Sequence, residues 1–157
     1  SYDKVITGVA YSKDDAKITL IGVEDRPGIA ASIFKPLFEN NISVDMIVQN
    51  VSADNKRTDV TFTIKREDLD KSVNLIKKNS NLKFEKITFD DKVAKVSIVG
   101  AGMITHPGVA FKMFKALSDQ NINILVISTS EIKISVLIDE NQTQKAVVAI
   151  HTAFDLD

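Results

Sequence analysis

Two hydrophobic rhythms alternate along this chain. Residues 5–11 alternate weakly and predict a strand, followed by a polar turn at 12–15. Ile18, Leu20 and Val23 lie on a short apolar run, which predicts a second strand over 18–23. The period then changes. Ile29, Ile33, Phe34 and Leu37 recur at helical spacing, so residues 27–39 read as a helix with one apolar stripe. Pro36 falls inside that helix, where a kink or a broken hydrogen bond is expected. Residues 43–51 are β-branched and apolar, hence a strand. A polar hairpin loop at 52–57 leads into a strand at 58–64, with Val60, Phe62 and Ile64 inward. Leu69, Val73, Leu75 and Ile76 give the apolar face of a helix over 67–79, and 84–89 is a closing strand. Strand–helix–strand–strand–helix–strand is the split β-α-β order of ferredoxin-like folds.

The pattern then repeats. Arg26-Pro27-Gly28-Ile29-Ala30 corresponds to His106-Pro107-Gly108-Val109-Ala110 at an offset of 80 positions. Asn41-Ile42-Ser43-Val44 matches Asn121-Ile122-Asn123-Ile124 at the same offset, and Pro36 corresponds to Ala116. The second copy runs through 93–99, 107–119, 124–128, 133–138 and 141–154, and it lacks a fourth strand. The spare strand at 5–11 supplies one, because a sheet with an unpaired apolar edge is a liability. The expected fold is therefore α+β. Two βαββαβ units have antiparallel sheets with helices on one face, and the first unit is inserted into the second. Residues 14–91 form the first unit; residues 1–13 with 92–157 form the second.

Composition narrows the function. Twenty lysines and arginines against 21 aspartates and glutamates leave a net charge of −1, which argues against nucleic acid or a membrane surface as partner. Exposed aromatics on central strands with a basic excess, as RNA binding on this fold requires, are missing. There is no cysteine, so disulfides, thiolate metal sites and cysteine nucleophiles are excluded. No apolar run reaches membrane-spanning length and no basic-then-apolar signal opens the chain, which leaves the cytoplasm as the default location. The first residue is Ser1 rather than methionine, which fits a piece of a longer protein.

The candidate chemistry gathers at the strand-to-helix loops. Pro27 suits a first helical turn. Asp25 just ahead of it suits a cap facing the positive helix end. Gly28, Ala30 and Ala31 leave backbone N–H groups open to close approach, a ready anion site. A free amino acid offers a carboxylate for those amides and an ammonium for Asp25. The same residues also make an ordinary helix start with nothing bound, and this stretch alone leaves both readings open. Gly100-Ala101-Gly102 fails as a dinucleotide fingerprint, since Thr105 stands where the third glycine is required. His106 and His151 are the only histidines, so neither a metal site nor a cofactor is expected. No nucleophile has a recognisable base and orienting acid. An acylphosphatase-type enzyme would need a glycine-rich phosphate cradle, whereas Pro-Gly follows Arg26, the only arginine near either loop.

Five stretches carry a family resemblance. Asp25-Arg-Pro-Gly28, Asn41-Ile-Ser-Val-Asp-Met-Ile-Val-Gln-Asn50, Val99-Gly-Ala-Gly-Met103, His106-Pro-Gly108 and Ser128-Thr-Ser-Glu-Ile-Lys-Ile-Ser135 resemble the tandem ACT domains of aspartate kinases, over almost the whole chain. The resemblance implies a non-catalytic allosteric sensor. Threonine, lysine or both would bind between ACT units and inhibit the first step towards the aspartate family of amino acids. It also implies a homodimer through the ACT units, and a kinase catalytic domain or alpha subunit as partner. The sequence would then be a separate regulatory subunit or an excised regulatory region. Carried over residue by residue, Asp25 would hold the ammonium. The backbone from Gly28 through Ile29 to Ala30, beside Arg26 and Pro27, would hold the carboxylate. Gln49 would read the side chain, and Asn123 and Ile124 would close the pocket. A second pocket would use His106, Pro107, Gly108, Val109, Asn50, Ser52, Ser130 and Glu131. There Thr105 replaces Asp25 and Thr129 replaces Gln49, leaving Glu131 as the carboxylate, one that also suits a lysine side chain. The alternative is an ACT regulatory or dimerisation module of another amino-acid enzyme.

Overall fold

A computed structural model of the chain describes residues 6–101 and 106–156. The expectations placed on Val5, on Gly102 and Met103, and on Thr105 as the counterpart of Asp25 lie outside the described residues. The chain divides into two units at Lys13/Asp14 and Asp91/Lys92.

The first unit runs β2 (Asp15–Glu24), α1 (Ile29–Glu39), β3 (Val44–Val51), β4 (Arg57–Lys65), α2 (Leu69–Lys77) and β5 (Lys86–Asp90). Its antiparallel sheet has the order β3-β4-β2-β5. Ile18, Leu20, Val60, Phe62 and Ile64 from the strands meet Ile29, Ile33 and Leu37 of α1 and Leu69, Val73 and Ile76 of α2 in one buried cluster. The Phe34 ring meets Phe62 edge-on, with centroids 5.1 Å apart. The second unit combines β1 (Ile6–Ser12) with β6 (Val93–Gly100), α3 (Gly108–Asp119), β7 (Val126–Thr129), β8 (Lys133–Asp139) and α4 (Thr143–Phe154). Its sheet order is β1-β6-β8-β7, with β1 antiparallel to β6 from Ile6↔Gly100 to Ser12↔Lys95. The insertion expected from the spare strand is therefore present. Its core gathers Val96, Ile98, Val109, Met113, Leu117, Ile150 and Phe154.

Several local expectations change, among them the start of β7, at Val126 rather than at residue 124, and the end of α2, at Lys77 rather than at residue 79. The polar turn after β1 shrinks, because Asp15 already pairs with Lys65. The closing strand of the first unit begins at Lys86 rather than at Phe84. The helices expected at 67–79 and 141–154 each open with a 3-10 turn, Arg66–Asp68 and Glu140–Gln142. In the latter, Asp139 Oδ1 accepts from the Asn141 N–H at 2.9 Å and the Thr143 hydroxyl donates to the Glu140 carbonyl at 2.7 Å, which tightens the turn. Finally, α1 starts at Ile29, not Pro27.

Both repeat helices end alike. Asn41 and Asn121 take φ of 58°, and the amides of Ile42 and Ile122 donate back to the Leu37 and Leu117 carbonyls at 2.9 and 3.0 Å. These are Schellman ends with asparagine in the left-handed position. Pro36 leaves α1 unbroken. Having no N–H, it cannot serve the carbonyl of Ser32 four residues back. That carbonyl accepts instead from Asn79 Nδ2 at 2.8 Å.

Candidate functional site

The first strand-to-helix loop is built by three anchors. At the end of β2 the register shifts between Leu20 and Val23. Gly22 sits in that bulge at φ 70°, its N–H donating to Asp59 Oδ1 at 2.9 Å and its carbonyl accepting from the Arg57 guanidinium at 3.2 Å. The Asp25 N–H then donates to the Lys56 carbonyl at 3.0 Å, which ties the loop to the β3–β4 hairpin. Arg26 Nη2 donates to the Asn81 carbonyl at 3.1 Å, which ties it to the turn after α2.

This geometry corrects the capping expectation. Gly28, not Asp25, is the N-cap, at φ 86°, and no side chain caps the helix. Asp25 stands too far back, held by its own backbone to the hairpin. The half-buried Asp25 is thereby released from a capping role. The Ile29 amide is taken by the Arg26 carbonyl at 3.2 Å and the Ser32 amide by Gly28 at 3.0 Å. Between them lie the first-turn amides of Ala30 and Ala31, of the kind a helix leaves for solvent or an anion. Arg26, Pro27, Gly28 and Ala30 are exposed, whereas the Ile29 side chain belongs to the core.

Gln49 reaches the same edge. β2 and β3 both run antiparallel to β4 between them, so the C-terminal end of β3 lies at the loop end of the sheet. Gln49 pairs with Val60, a core position, so it stands on the helix side; Asn50 pairs with Asp59 and stands on the opposite face. Asp25, the Gly28–Ala30 backbone and Gln49 thus share one end of one unit. Asn123 and Ile124 belong to the other unit, where they line a hollow of about 480 Å³ with Phe114, Ser118, Asn121 and Ile122.

The hairpin supporting Asp25 is ordered by its own side chains. The Ser52 hydroxyl donates to Asp54 Oδ1 at 2.7 Å, and the Lys56 amide donates to the same oxygen at 3.0 Å. Those two bonds, with the Arg57 charge nearby, hold the Asp54 carboxyl below its ordinary value.

The second loop is a different object. Pro107 is the N-cap at φ −61°, Gly108 is already helical, and the Val109 amide donates to the His106 carbonyl at 3.0 Å. His106, Pro107, Ala110, Thr129, Ser130, Glu131 and Ile134 surround a cavity of about 410 Å³ within this unit. Val109 is wholly buried in the core. Asn50 and Ser52 lie on the first unit. The β7–β8 connection is short, with the Ser130 amide donating to the Lys133 carbonyl at 2.8 Å. Sequence reasoning missed Lys56, Asn79 and Asn81, which hold the first loop. None carries a motif, since two act through backbone carbonyls.

Among the described residues, no group of histidines and carboxylates is placed to hold a metal ion. No helix among them is long and apolar enough to cross a membrane.

Residues 18–79 and 96–154 both match the family model of the ACT domain. An aspartate kinase of Pseudomonas fluorescens is 50% identical over 154 residues, covering 98% of this chain and 37% of that protein. The chain thus spans little more than a third of the curated relatives it matches, over their regulatory part; their kinase catalytic domain has no counterpart in it. The ligand-free regulatory subunit of aspartate kinase from Thermus thermophilus is 40% identical with a TM-score of 0.90, covering 96% of this chain and 99% of that one. A structure of aspartokinase alpha and beta subunits matches at 43% identity and a TM-score of 0.87 over the same shares.

Proposed function

We propose, from the premise that this chain belongs to the ACT domain family as a regulatory region of aspartate kinase, that it senses free threonine or lysine and transmits their binding to a kinase catalytic partner as feedback inhibition. One observation carries the reading: Asp25 is freed from helix capping and stands beside an uncapped helix start on a left-handed glycine. The carboxylate suits an α-ammonium and the amides suit an α-carboxylate, so the loop fits the two groups every free amino acid carries. Gln49 at the same sheet end offers an amide for a side-chain hydroxyl or ammonium. Asn123 and Ile124 of a partner chain would close the pocket. Pairing of chains is supported by β3, an edge strand on which Ile47, Val48 and Val51 are all exposed. No cofactor enters, and the work is done in the cytoplasm.

A ligand clamped between units shifts their arrangement only by binding one arrangement better. A coupling of about 1–3 kcal/mol suffices for useful inhibition. The test is calorimetric titration of the chain with threonine, lysine, methionine and isoleucine, singly and in pairs. Saturable binding of threonine or lysine is expected, and its stoichiometry reports whether the His106 cavity is also occupied. A folded protein silent to all four overturns the sensor reading and leaves a module that pairs chains.

A further inference from the structure

The first loop is held from a direction its own sequence does not reveal. Asn79, just beyond α2, uses each of its polar groups. Its Nδ2 donates to the Ser32 carbonyl at 2.8 Å. Its Oδ1 accepts from the Asn81 amide at 3.1 Å. Its own amide donates to Ile76 and its carbonyl accepts from Leu82, both at 3.2 Å. The Leu82 side chain is buried in the core of the unit, so this turn is not a free-standing loop. The turn in its turn presents the Asn81 carbonyl to Arg26 at 3.1 Å. The attachment to α1 exists because Pro36 takes away the helix's own donor for Ser32. At the repeat position Ala116 keeps its N–H for Lys112, so the same vacancy does not arise in α3.

We propose that Asn79 is a positioning residue for the effector loop. It fixes the turn after α2 against α1, so that the Asn81 carbonyl holds Arg26, and Arg26 fixes Asp25 and Gly28 beside it. Pro36 is the residue that makes this attachment possible. The proposal rests on the sensor reading of the Asp25 loop, but its physical core, a loop held through Asn79, does not need a ligand to be measured.

Two plain alternatives make different forecasts. If Asn79 merely satisfies a buried carbonyl, Pro36→Ala gives Ser32 a helical donor again and repairs every effect of Asn79→Ala. If Asn79 positions the loop, Pro36→Ala restores α1 and leaves Arg26 unanchored, because the Asn81 amide still lacks its Oδ1 acceptor.

Amide hydrogen exchange on the full chain is the first measurement, with Ile29 and Ser32 reporting the loop and Val109 of the second unit serving as internal reference. In Asn79→Ala, exchange at Ile29 and Ser32 is expected to quicken about tenfold, the size of one hydrogen bond lost, with Val109 unchanged. Unchanged exchange at Ile29 overturns the proposal. Threonine and lysine titrations come second. Affinity at the Asp25 site is expected to fall about tenfold in Asn79→Ala and equally in Arg26→Met, with no further loss when the two are combined, and to stay low when Pro36→Ala is added. Full recovery with Pro36→Ala overturns the positioning role. Should Asn79→Ala not fold, Arg26→Met at an exposed position carries the same exchange test: quickened Ile29 exchange supports the proposal and unchanged exchange overturns it. A wild-type chain that binds none of the amino acids sinks the sensor reading alone, and the exchange result still decides the positioning.

Discussion

The two Pro-Gly loops share a sequence pattern and differ in structure. In the first unit the glycine is left-handed at φ 86° and precedes the helix; in the second it is the first residue of the helix. The neighbouring hairpins differ as well. Gln49 and its partner Val60 are joined by ten intervening residues, Thr129 and its partner Ile134 by four. The longer hairpin brings the Lys56 carbonyl up to the Asp25 amide and holds the first loop open. The shorter one places Ser130 and Glu131 beside His106 and Pro107, around the cavity of the second unit. A repeated motif thus fixes where a loop occurs, while the elements beside it fix its conformation and its chemistry.

That contrast can be broken most severely at Asp25. Asp25→Ala should abolish threonine or lysine binding at the first loop while circular dichroism stays that of the folded chain; Glu131→Ala should remove only a second, weaker equivalent. Undiminished affinity in Asp25→Ala would overturn the assignment of the effector site to the first loop.

A smaller effect, of opposite sign at the two positions, is expected from the glycines. Gly28→Ala meets open space but must keep a positive φ, a cost of about 1–2 kcal/mol. Gly108→Ala lies at the first helical position and should stabilise by a few tenths of a kcal/mol, less than the full Gly-to-Ala difference of a helix interior, about 1 kcal/mol. Denaturant midpoints of the two variants should therefore move apart. Shifts in the same direction would show that the loops share one conformation.

The smallest effect is electrostatic. The Asp54 carboxyl titrates below its ordinary value in the folded hairpin, chiefly through the Ser52 hydroxyl. A lowered carboxyl contributes stability that is present above its unfolded value and lost as pH falls through its folded one. A carbon-13 titration of Asp54 should give a midpoint below the usual carboxylate range, moving up in Ser52→Ala. A midpoint indifferent to Ser52 would remove the side-chain order that distinguishes this hairpin.

Much of the architecture was legible because it is written in local periods. The stripe Ile29, Ile33, Leu37 and the alternation Val60, Phe62, Ile64 are buried as their spacing requires. The insertion was legible too, from one strand too many at the start and one too few after α4. The candidate site was legible only as a list. Asp25, Gly28 and Gln49 share one sheet end, but the reading of Asp25 as a cap failed. Distance along the sequence suits Asp25 to a cap, but the Lys56 carbonyl holds it back from the helix. Lys56 and Asn81 left no trace in the pattern, because a backbone carbonyl is the same in every residue; Asn79 acts through its side chain, but a single asparagine after a helix carries no motif.

The sequence by itself determined two repeated βαββαβ units, the insertion of the first within the second, their cores and the places where the loops fall. Those follow from hydrophobic period and strand count, which act over a few residues and survive any choice of partner. Only the tertiary structure decided that Gly28 is left-handed, that Asp25 is free of the helix and that Ser32 is served by Asn79. The bonds that hold Asp25, Arg26 and Ser32 join residues 31 to 55 positions apart, Asp25 to Lys56 the shortest span and Arg26 to Asn81 the longest, and bonds of that range exist only once the strands have set the helices in place.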